Sequence, residues 1–362
     1  MKKNTIICTV GTSLLSHFRD RESGKITSSE DDIIIELKKL DEDNRKCGAE
    51  INSNHSIIKN QYIDEFRELY LCVSDTDEGQ LVGKVLKKYY EYKYNVKVVV
   101  ETVEHLENDY KKFKNHGLRN LVKIVSDIIY KLKNKDFEAV INATGGFKAQ
   151  ISFAGLIGQA LQVPVYYQFE LFADIIEMPP MPVSFDSQLW SDYFNLFDDF
   201  DKEGIIPEKD LKFGELDPRI QVLLDFDDGY YFLSPVGQLF YEGFKYRLRT
   251  SGNLPREAKE EERTGVNIKE REYPNLPKDT KPYLNKLYES FNFIKRIVVY
   301  YLNPDLPKKY SFRKDPKGEK GIIQGIYSDG KGATKFSIFT TAENEEELQK
   351  AIIILQDAKT FD

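Results

Sequence analysis

Five short apolar runs, separated by helix-like stretches, occupy the first half of the chain. They lie at residues 5–10, 68–73, 97–100, 139–141 and 163–167. Continuous apolar runs of this length are typical of strands buried on both faces of a parallel sheet. Their alternation with helices predicts a doubly wound, Rossmann-like α/β domain over residues 1–178. Ligands of such sheets bind beyond the carboxyl ends of the strands.

The pattern changes after a proline-rich stretch at 178–182. Residues 179–250 contain a helix-like stretch, a turn at Gly229, a short aromatic strand, and a helix preceded by Ser234 and Pro235. Serine and then proline are typical of the first positions of a helix. This order predicts a winged-helix-like connector. The many charged residues of 251–280 predict a solvated linker.

The last segment, residues 281–362, predicts a small α+β domain. Its pattern indicates a helix over 283–301, several strands over 310–341 and a helix over 343–355. The segment holds 14 Lys and Arg against 11 Asp and Glu, whereas the whole chain of 362 residues has a net charge of −7. A partner with many negative charges is therefore expected at this end of the chain.

Composition limits the class of protein. Apolar residues make up 41% and charged residues 31% of the chain, which is typical of a globular protein with a soluble surface. No apolar run approaches the length of about 20 residues that spans a bilayer, so a cytoplasmic protein without membrane contact is expected. The three cysteines lack CxxC spacing, which argues against disulfides and structural zinc.

Two glycine-containing turns follow strands of the predicted sheet. The first is Gly11-Thr12-Ser13, and the second runs from Asn142 to Lys148. Glycines let a phosphate or ribose approach the backbone, while hydroxyl, amide and lysine groups donate hydrogen bonds. Either turn alone is equally well explained as a tight turn, but together they favour a nucleotide site. The chain has neither GxGxxG nor GxxxxGK[ST], the patterns of dinucleotide and P-loop sites.

These two turns resemble those of CARF domains, the sensor domains of CRISPR defence. The resemblance implies a homodimer with one symmetric pocket for a cyclic oligoadenylate, with cyclic tetra-adenylate as the expected activator and no other cofactor. It also implies that Ser13 and Lys148 are the groups to suspect if the domain cuts its own ligand. The ligand-binding residues expected from the resemblance are Gly11, Thr12, Ser13, Ser74, Asp75, Thr76, Asn142, Thr144, Gly145, Gly146 and Lys148.

The effector is expected in residues 281–362. The four histidines, His17, His55, His105 and His116, lack the preceding arginine that HEPN nucleases need, and the ExK matches lie outside plausible metal sites. The basic C-terminal strands instead look similar to RelE-type mRNA interferases, which cut ribosome-bound mRNA without metal. The basic or hydroxyl residues of this region are Lys308, Lys309, Arg313, Lys314, Lys317, Lys320, Tyr327, Lys331 and Lys335.

The two resemblances together imply a metal-independent ribonuclease that a cyclic oligoadenylate activates. Lysine, arginine and tyrosine side chains can stabilise an anionic transition state. A solvated lysine-rich face is the simple alternative for these strands. A CARF and winged-helix transcriptional regulator, or a ring nuclease that destroys the messenger, are the alternatives for the whole chain. The candidate catalytic residues are Arg313, Lys314, Lys320, Tyr327 and Lys335.

Overall fold

The computed structural model describes most of the chain, in segments that carry all the candidate site residues. The described residues are 2–20, 22–133, 135, 137–169, 172, 174–182, 185–251, 253–268, 276–303, 311–315, 318–329 and 332–358. Lys308, Lys309, Lys317 and Lys331 of the predicted basic region lie outside them. None of the described helices is both long and apolar enough to cross a bilayer.

Residues up to 182 alternate between strands and helices as the apolar runs predict. The strands are β1 (Lys2–Thr9), β2 (Glu68–Ser74), β3 (Lys97–Val103), β4 (Phe137–Asn142), β5 (Val165–Tyr167) and β6 (Ile176–Met178). The helices are α1 (Glu30–Leu37), α2 (Ala49–Lys59), α3 (Asp77–Tyr94), α4 (Tyr110–Lys112), α5 (Leu118–Lys133) and α6 (Lys148–Ala160). A π-helical turn, Phe113–Gly117, joins α4 to α5.

The remaining elements follow in two groups. Residues 185–251 form α7 (Ser187–Asp192), α8 (Phe194–Glu203), β7 (Ile206–Pro207), α9 (Pro218–Gln221), β8 (Leu224–Asp227), β9 (Tyr230–Leu233) and α10 (Pro235–Ser251). Residues 253–358 form β10 (Gly265–Asn267), α11 (Thr280–Ser290), β11 (Ile294–Asn303), β12 (Ser311–Lys314), β13 (Ile322–Ser328), β14 (Ala333–Thr340) and α12 (Glu345–Asp357).

Contacts divide the chain into two compact units. The first unit comprises residues 1–185 and 205–243, and the second comprises 186–204 and 244–362. The predicted connector, 179–250, is thus shared between the two units. The predicted domain of residues 281–362 lies within the larger second unit.

The first unit is built on a six-stranded sheet with the order β3-β2-β1-β4-β5-β6. The first five strands run parallel and β6 is antiparallel to β5. This mixed α/β arrangement is consistent with the predicted Rossmann-like domain. The core forms because the central strands are apolar on both faces: Ile6, Ile7, Leu71 and Val140 are fully buried.

A small antiparallel sheet with the order β7-β9-β8 completes the first unit. The serine cap expected before α10 is confirmed, because Ser234 Oγ accepts a hydrogen bond of 3.1 Å from the Gly237 amide. A helix, a turn at Gly229, the strand β9 and a helix follow one another as predicted, but the residues before the turn form a further strand, β8, because they pair with β9. Whether this order makes a winged-helix domain stays a prediction.

The second unit contains a five-stranded sheet with the order β10-β11-β14-β13-β12. Strand β10 is parallel to β11, and the other pairs are antiparallel. Part of the predicted linker therefore belongs to a sheet. The helix expected over 283–301 ends at Ser290, and β11 follows. Alternating burial of Ile297 and Val299, with β-branched and aromatic neighbours, favours a strand there.

The core of the second unit joins the segments on both sides of 205–243. The Trp190 ring on α7 stacks on Phe244 of α10 with 4.9 Å between ring centroids. Its indole nitrogen donates a hydrogen bond of 3.0 Å to Gln349 on α12. Trp190 is 2% exposed, so the C-terminal helix α12 is held by a residue well before position 281.

Candidate functional site

Two predicted turns of the first unit lie side by side. Strands β1 and β4 are neighbours in the sheet, with β2 and β3 on one side and β5 and β6 on the other. The β1 turn (residues 11–13) and the β4 turn (142–148) thus follow the carboxyl ends of two adjacent strands where the strand order reverses. Open α/β sheets bind their ligands at this switch point.

A cavity of about 1170 Å³ opens over these two turns. Of the eleven expected ligand-binding residues, six line it: Gly11, Thr12, Ser13, Thr144, Gly145 and Gly146. The other lining residues come from the helical turn after Ser13, from α2 and the segment before it, and from the end of β5 and the segment after it. They are Ser16, His17, Asp43, Arg45, Gly48, Ala49, Asn52, Lys59, Tyr167, Gln168, Phe169, Phe172 and Asp174.

The two turns touch through their glycines. A Cβ atom at Gly11 would lie 2.7 Å from the Gly146 amide nitrogen, which is closer than real Cβ contacts allow. Gly146 has φ +107°, a conformation that side chains other than hydrogen rarely permit. Thr9 Oγ1 donates a hydrogen bond of 2.6 Å to the Gly145 carbonyl and joins β1 to the β4 turn. The glycines are therefore required by close backbone approach.

The side chain of Asn142 holds the β4 turn in place through hydrogen bonds. Its side chain is fully buried and donates hydrogen bonds of 2.7 Å to Ser53 Oγ and Asn54 Oδ1 on α2. Its Oδ1 accepts bonds from the backbone nitrogen (3.2 Å) and hydroxyl (2.7 Å) of Thr144. Thr144 Oγ1 in turn accepts a hydrogen bond from the backbone amide of Gln168. Asn142 thus positions the turn and does not line the cavity.

Two other sets of expected ligand residues have different surroundings. The residues Ser74, Asp75 and Thr76 do not line the cavity. Thr76 Oγ1 accepts a 3.0 Å hydrogen bond from the Gly79 backbone amide and so caps α3. Asp75 Oδ2 accepts a hydrogen bond from the His105 backbone amide. Lys148 is the first residue of α6 and is exposed, and it does not line the cavity either. The structure brings together the two glycine turns but not these residues.

Glu50 is the buried residue of this site that the motifs did not indicate. Its Oε1 accepts a hydrogen bond of 2.7 Å from the Gly11 amide. Burial raises the pKa of its carboxyl group, whereas hydrogen bonds from the Gly11 and Glu50 amides lower it. A signal exists in the sequence, because Glu50, Ser53, Asn54 and Ile57 have the i, i+3, i+4, i+7 spacing of one helix face, and all four are buried.

Positive and aromatic groups face the cavity. Helix α2 begins at the cavity after Gly48, with no side-chain cap, and backbone amides at a helix start favour anions. Arg45 is exposed beside it, and Lys59 pairs with Asp43 at 3.3 Å. Phe169 and Phe172 stand edge to face with 5.2 Å between centroids and are 37% and 54% exposed. Together these groups suit a ligand with phosphates and aromatic bases.

The β4 turn also contacts the small sheet through the π-helical turn. The Phe147 ring lies edge-on to Phe113 with 5.1 Å between centroids. Within the same π-helical turn, Lys114 pairs with Asp225 on β8 at 3.4 Å, and His116 stacks on Phe232 of β9. A continuous chain of contacts therefore runs from the β4 turn to the β8–β9 hairpin. π-helical turns are frequent at functional sites.

In the second unit, a hydrogen-bonded row of polar side chains lies on one sheet face. Arg313 Nε on β12 donates a bond of 2.7 Å to Gln324 Oε1 on β13, and Gln324 Nε2 donates to the Tyr300 hydroxyl on β11. Lys335 shares this face, because it lies two residues from Ser337, the partner of Gln324 on β14. The motifs of the sequence did not indicate Tyr300. Burial raises the pKa of its hydroxyl group.

The remaining candidate catalytic residues are elsewhere in the second unit. Lys314 Nζ pairs with Glu345 of α12 at 2.7 Å. Tyr327 is 5% exposed, stacks on Tyr283, and donates a 2.6 Å hydrogen bond to the Lys278 carbonyl. Lys320 is exposed in the turn before β13. Among the described residues, no group of three or more His, Cys, Asp or Glu is arranged to hold a metal ion.

Comparison with known proteins links part of the first unit to CRISPR systems. Two solved structures are weakly similar. The first is the structure of Can2 from Sulfobacillus thermosulfidooxidans in complex with cyclic tetra-adenylate. It has 12% sequence identity over 68% of this chain, with a TM-score of 0.26. The match covers 66% of the Can2 chain, which is less than two thirds of its length. VC1899 from Vibrio cholerae has 8% identity over 93% of this chain and 77% of its own, with a TM-score of 0.25. Neither likeness is large enough to assign an activity. Residues 45–181, from the segment before α2 to the end of the sheet, match the family of the CRISPR-associated protein Cas_APE2256.

Proposed function

We propose that this chain is a CRISPR-associated sensor and effector, in which the first unit binds a cyclic oligoadenylate as a homodimer and the second unit cleaves RNA. The observation that carries the proposal is the cavity over the two glycine turns. Its volume of about 1170 Å³ exceeds the range of roughly 300–1000 Å³ that is usual for small-molecule sites. A ring of several nucleotides suits this space better than a mononucleotide does.

The Cas_APE2256 match supports the CRISPR setting, because it contains α2, the β4 turn and the segment with Phe169. A ring nuclease would use the same cavity. Of the two residues expected to take part in cutting the ligand, Ser13 lines the cavity and Lys148 does not. The direct test uses purified full-length protein with translating ribosomes, with and without cyclic tetra- and hexa-adenylate. We expect mapped mRNA ends to show cuts only with the activating ring. Chromatography of the same samples measures whether the messenger is degraded.

We expect adenine stacking at the cavity rim. Phe169→Ala should weaken binding of cyclic tetra-adenylate by about tenfold, because stacking of a base on an aromatic side chain contributes about 1–3 kcal/mol. Phe169→Tyr keeps the ring and should bind as the unchanged protein does. Isothermal titration calorimetry measures both. Equal affinities of the alanine and tyrosine variants would remove Phe169 from the binding site.

RNA cleavage is proposed for the sheet face with Arg313, Gln324, Tyr300 and Lys335. Cations on that face can meet RNA phosphates, and a guanidinium can stabilise the negative charge of the transition state. The β8–β9 hairpin fits a DNA-binding wing less well. Asp225 and Asp227 give it negative charge and contact Lys114 and Asn115, whereas phosphate contacts need cations.

The contacts of the π-helical turn are proposed to transmit the signal. Phe113 touches the β4 turn through Phe147, and its neighbours hold the β8–β9 hairpin, which leads directly into α10. A ligand that shifts the β4 turn would change these contacts. Such coupling between sites is typically worth about 1–3 kcal/mol.

Phe113→Ala should therefore leave the affinity for cyclic tetra-adenylate within about threefold but lower ligand-stimulated RNA cleavage by about tenfold. Calorimetry and a cleavage assay on the same preparation measure the two effects. Tyr110→Ala is the matched control, because Tyr110 is 79% exposed on the preceding helix. Full stimulation in the Phe113 variant would contradict this path.

A further inference from the structure

We infer that Glu50 is a positioning residue of the ligand cavity, whose neutral carboxyl group joins the two glycine turns and whose ionisation weakens ligand binding. The inference rests on the proposed binding of cyclic oligoadenylate and adds a pH-dependent control to that site. Glu50 belongs to neither glycine motif. It lies in the first turn of α2, next to the cavity residues Gly48 and Ala49.

One oxygen of Glu50 contacts both turns. Oε1 accepts the 2.7 Å hydrogen bond from the Gly11 amide, and a Cβ atom at Gly145 would lie only 2.0 Å from the same oxygen. The carboxyl group is therefore wedged between the β1 turn and the β4 turn. If it moves or changes charge, both turns that line the cavity are affected at once.

The other oxygen has no compensating contact. Glu50 is fully buried, and its Oε2 has no hydrogen-bond partner among the described residues. An unpaired buried carboxylate is costly, so such groups take up a proton instead. Burial accordingly raises the pKa of Glu50, and this effect outweighs the hydrogen bonds that lower it.

Among the residues that the structure describes, the groups packed around Glu50 supply no positive charge on the protein side. The Cys8 thiol of β1 and the Tyr90 hydroxyl of α3 are buried, and burial raises the pKa of each, so both are neutral. Tyr90 donates its hydroxyl to the Glu50 carbonyl, not to the carboxyl group. The charged or titratable groups that line the cavity are His17, Asp43, Arg45, Lys59, Tyr167 and Asp174.

The ligand makes the charge of Glu50 consequential. Each nucleotide of a cyclic oligoadenylate carries one negative phosphodiester, and an ionised Glu50 behind Gly11 would repel it. Because the pKa is higher in the folded protein than in the unfolded chain, the protonated group favours the folded, binding-competent form. That contribution is present at low pH and is lost as the pH rises through the folded-state pKa.

The test is calorimetric titration of full-length protein with cyclic tetra-adenylate between about pH 5 and pH 9 at constant ionic strength. We expect the unchanged protein to lose affinity as the pH rises, by at most about tenfold per pH unit for one proton. Glu50→Gln keeps an oxygen acceptor for Gly11 and cannot ionise. It should match the unchanged protein at low pH and bind more tightly than it at high pH. All other cavity residues are the same in both proteins, so their contributions cancel in the comparison.

Two further variants separate positioning from a merely structural role. Glu50→Ala removes the acceptor of the Gly11 amide and should weaken binding about tenfold or more at every pH. Glu91→Gln, on an exposed part of α3, is the matched control and should follow the unchanged protein. Thermal melts of all variants establish that they are folded. If Glu50→Ala does not fold, the comparison of the glutamine variant still decides.

The outcomes distinguish this inference from the proposed function. If the unchanged protein binds no cyclic tetra- or hexa-adenylate at any pH, the proposed function fails. If it binds and the Glu50→Gln variant has the same pH profile, the function stands and the role of Glu50 is overturned. A glutamine variant whose affinity stays constant where that of the unchanged protein falls supports the inference.

Discussion

Gly145→Ala should abolish measurable binding of the cyclic oligoadenylate while the first unit stays folded. The new methyl group would lie 2.0 Å from Glu50 Oε1, 2.8 Å from the Glu50 carboxyl carbon and 2.9 Å from the Thr9 carbonyl oxygen. None of these atoms is the end of a mobile surface side chain, so the β4 turn must move away from the β1 turn. Overpacking of this kind costs about 1–3 kcal/mol, and the displaced turn also loses its ligand contacts. Calorimetry should show affinity at least a hundredfold weaker.

Gly155→Ala is the control for this change. Gly155 lies in α6, ten residues further along the chain, and a Cβ atom there meets nothing within 4 Å. Alanine favours a helix over glycine by about 1 kcal/mol, so this variant should be as stable as the unchanged protein or more so. Its affinity should be unchanged. Loss of binding in both variants, or in neither, would contradict the role of the two turns.

Arg313→Ala should lower ligand-stimulated RNA cleavage by about a hundredfold without changing the affinity for cyclic tetra-adenylate. The guanidinium is held by Gln324, which also contacts the Tyr300 hydroxyl, and it is the cation of this row. Loss of a preorganised charge that stabilises a transition state costs about 10²–10³ in rate. Single-turnover cleavage with saturating RNA measures the chemical step, and RNA binding should fall much less.

Two variants make this result specific. Arg256→Ala removes an exposed arginine that pairs with Glu262 and should cleave normally. Tyr327→Phe removes a buried hydroxyl bonded to the Lys278 carbonyl. It should lower stability by about 1 kcal/mol and leave cleavage intact. If Tyr327→Phe cleaves poorly while Arg313→Ala cleaves normally, the proposed nuclease face is misplaced.

Much of the first unit could be predicted from local patterns. Each of the five apolar runs is a strand, and both glycine turns follow strands as expected. These features depend on neighbouring residues, because burial on both faces and the need for glycine leave marks within a few positions. In the second unit, by contrast, the apolar run around Ile297 and Val299 was predicted as a helix and is a strand. Its composition suits either a buried helix or a strand, and pairing with β14 decides in favour of the strand.

The amino-acid sequence by itself determined where strands end, which turns need glycine, and that positive charge gathers near the C-terminus. Tertiary structure decided which of those features meet. Only the strand order places the β1 and β4 turns together and apart from Ser74–Thr76, where Thr76 caps α3. Only packing brings Glu50 between Gly11 and Gly145. Strand register likewise joins Arg313 to Gln324. Such contacts link residues far apart in sequence, and their energies depend on burial and close approach that no local pattern records.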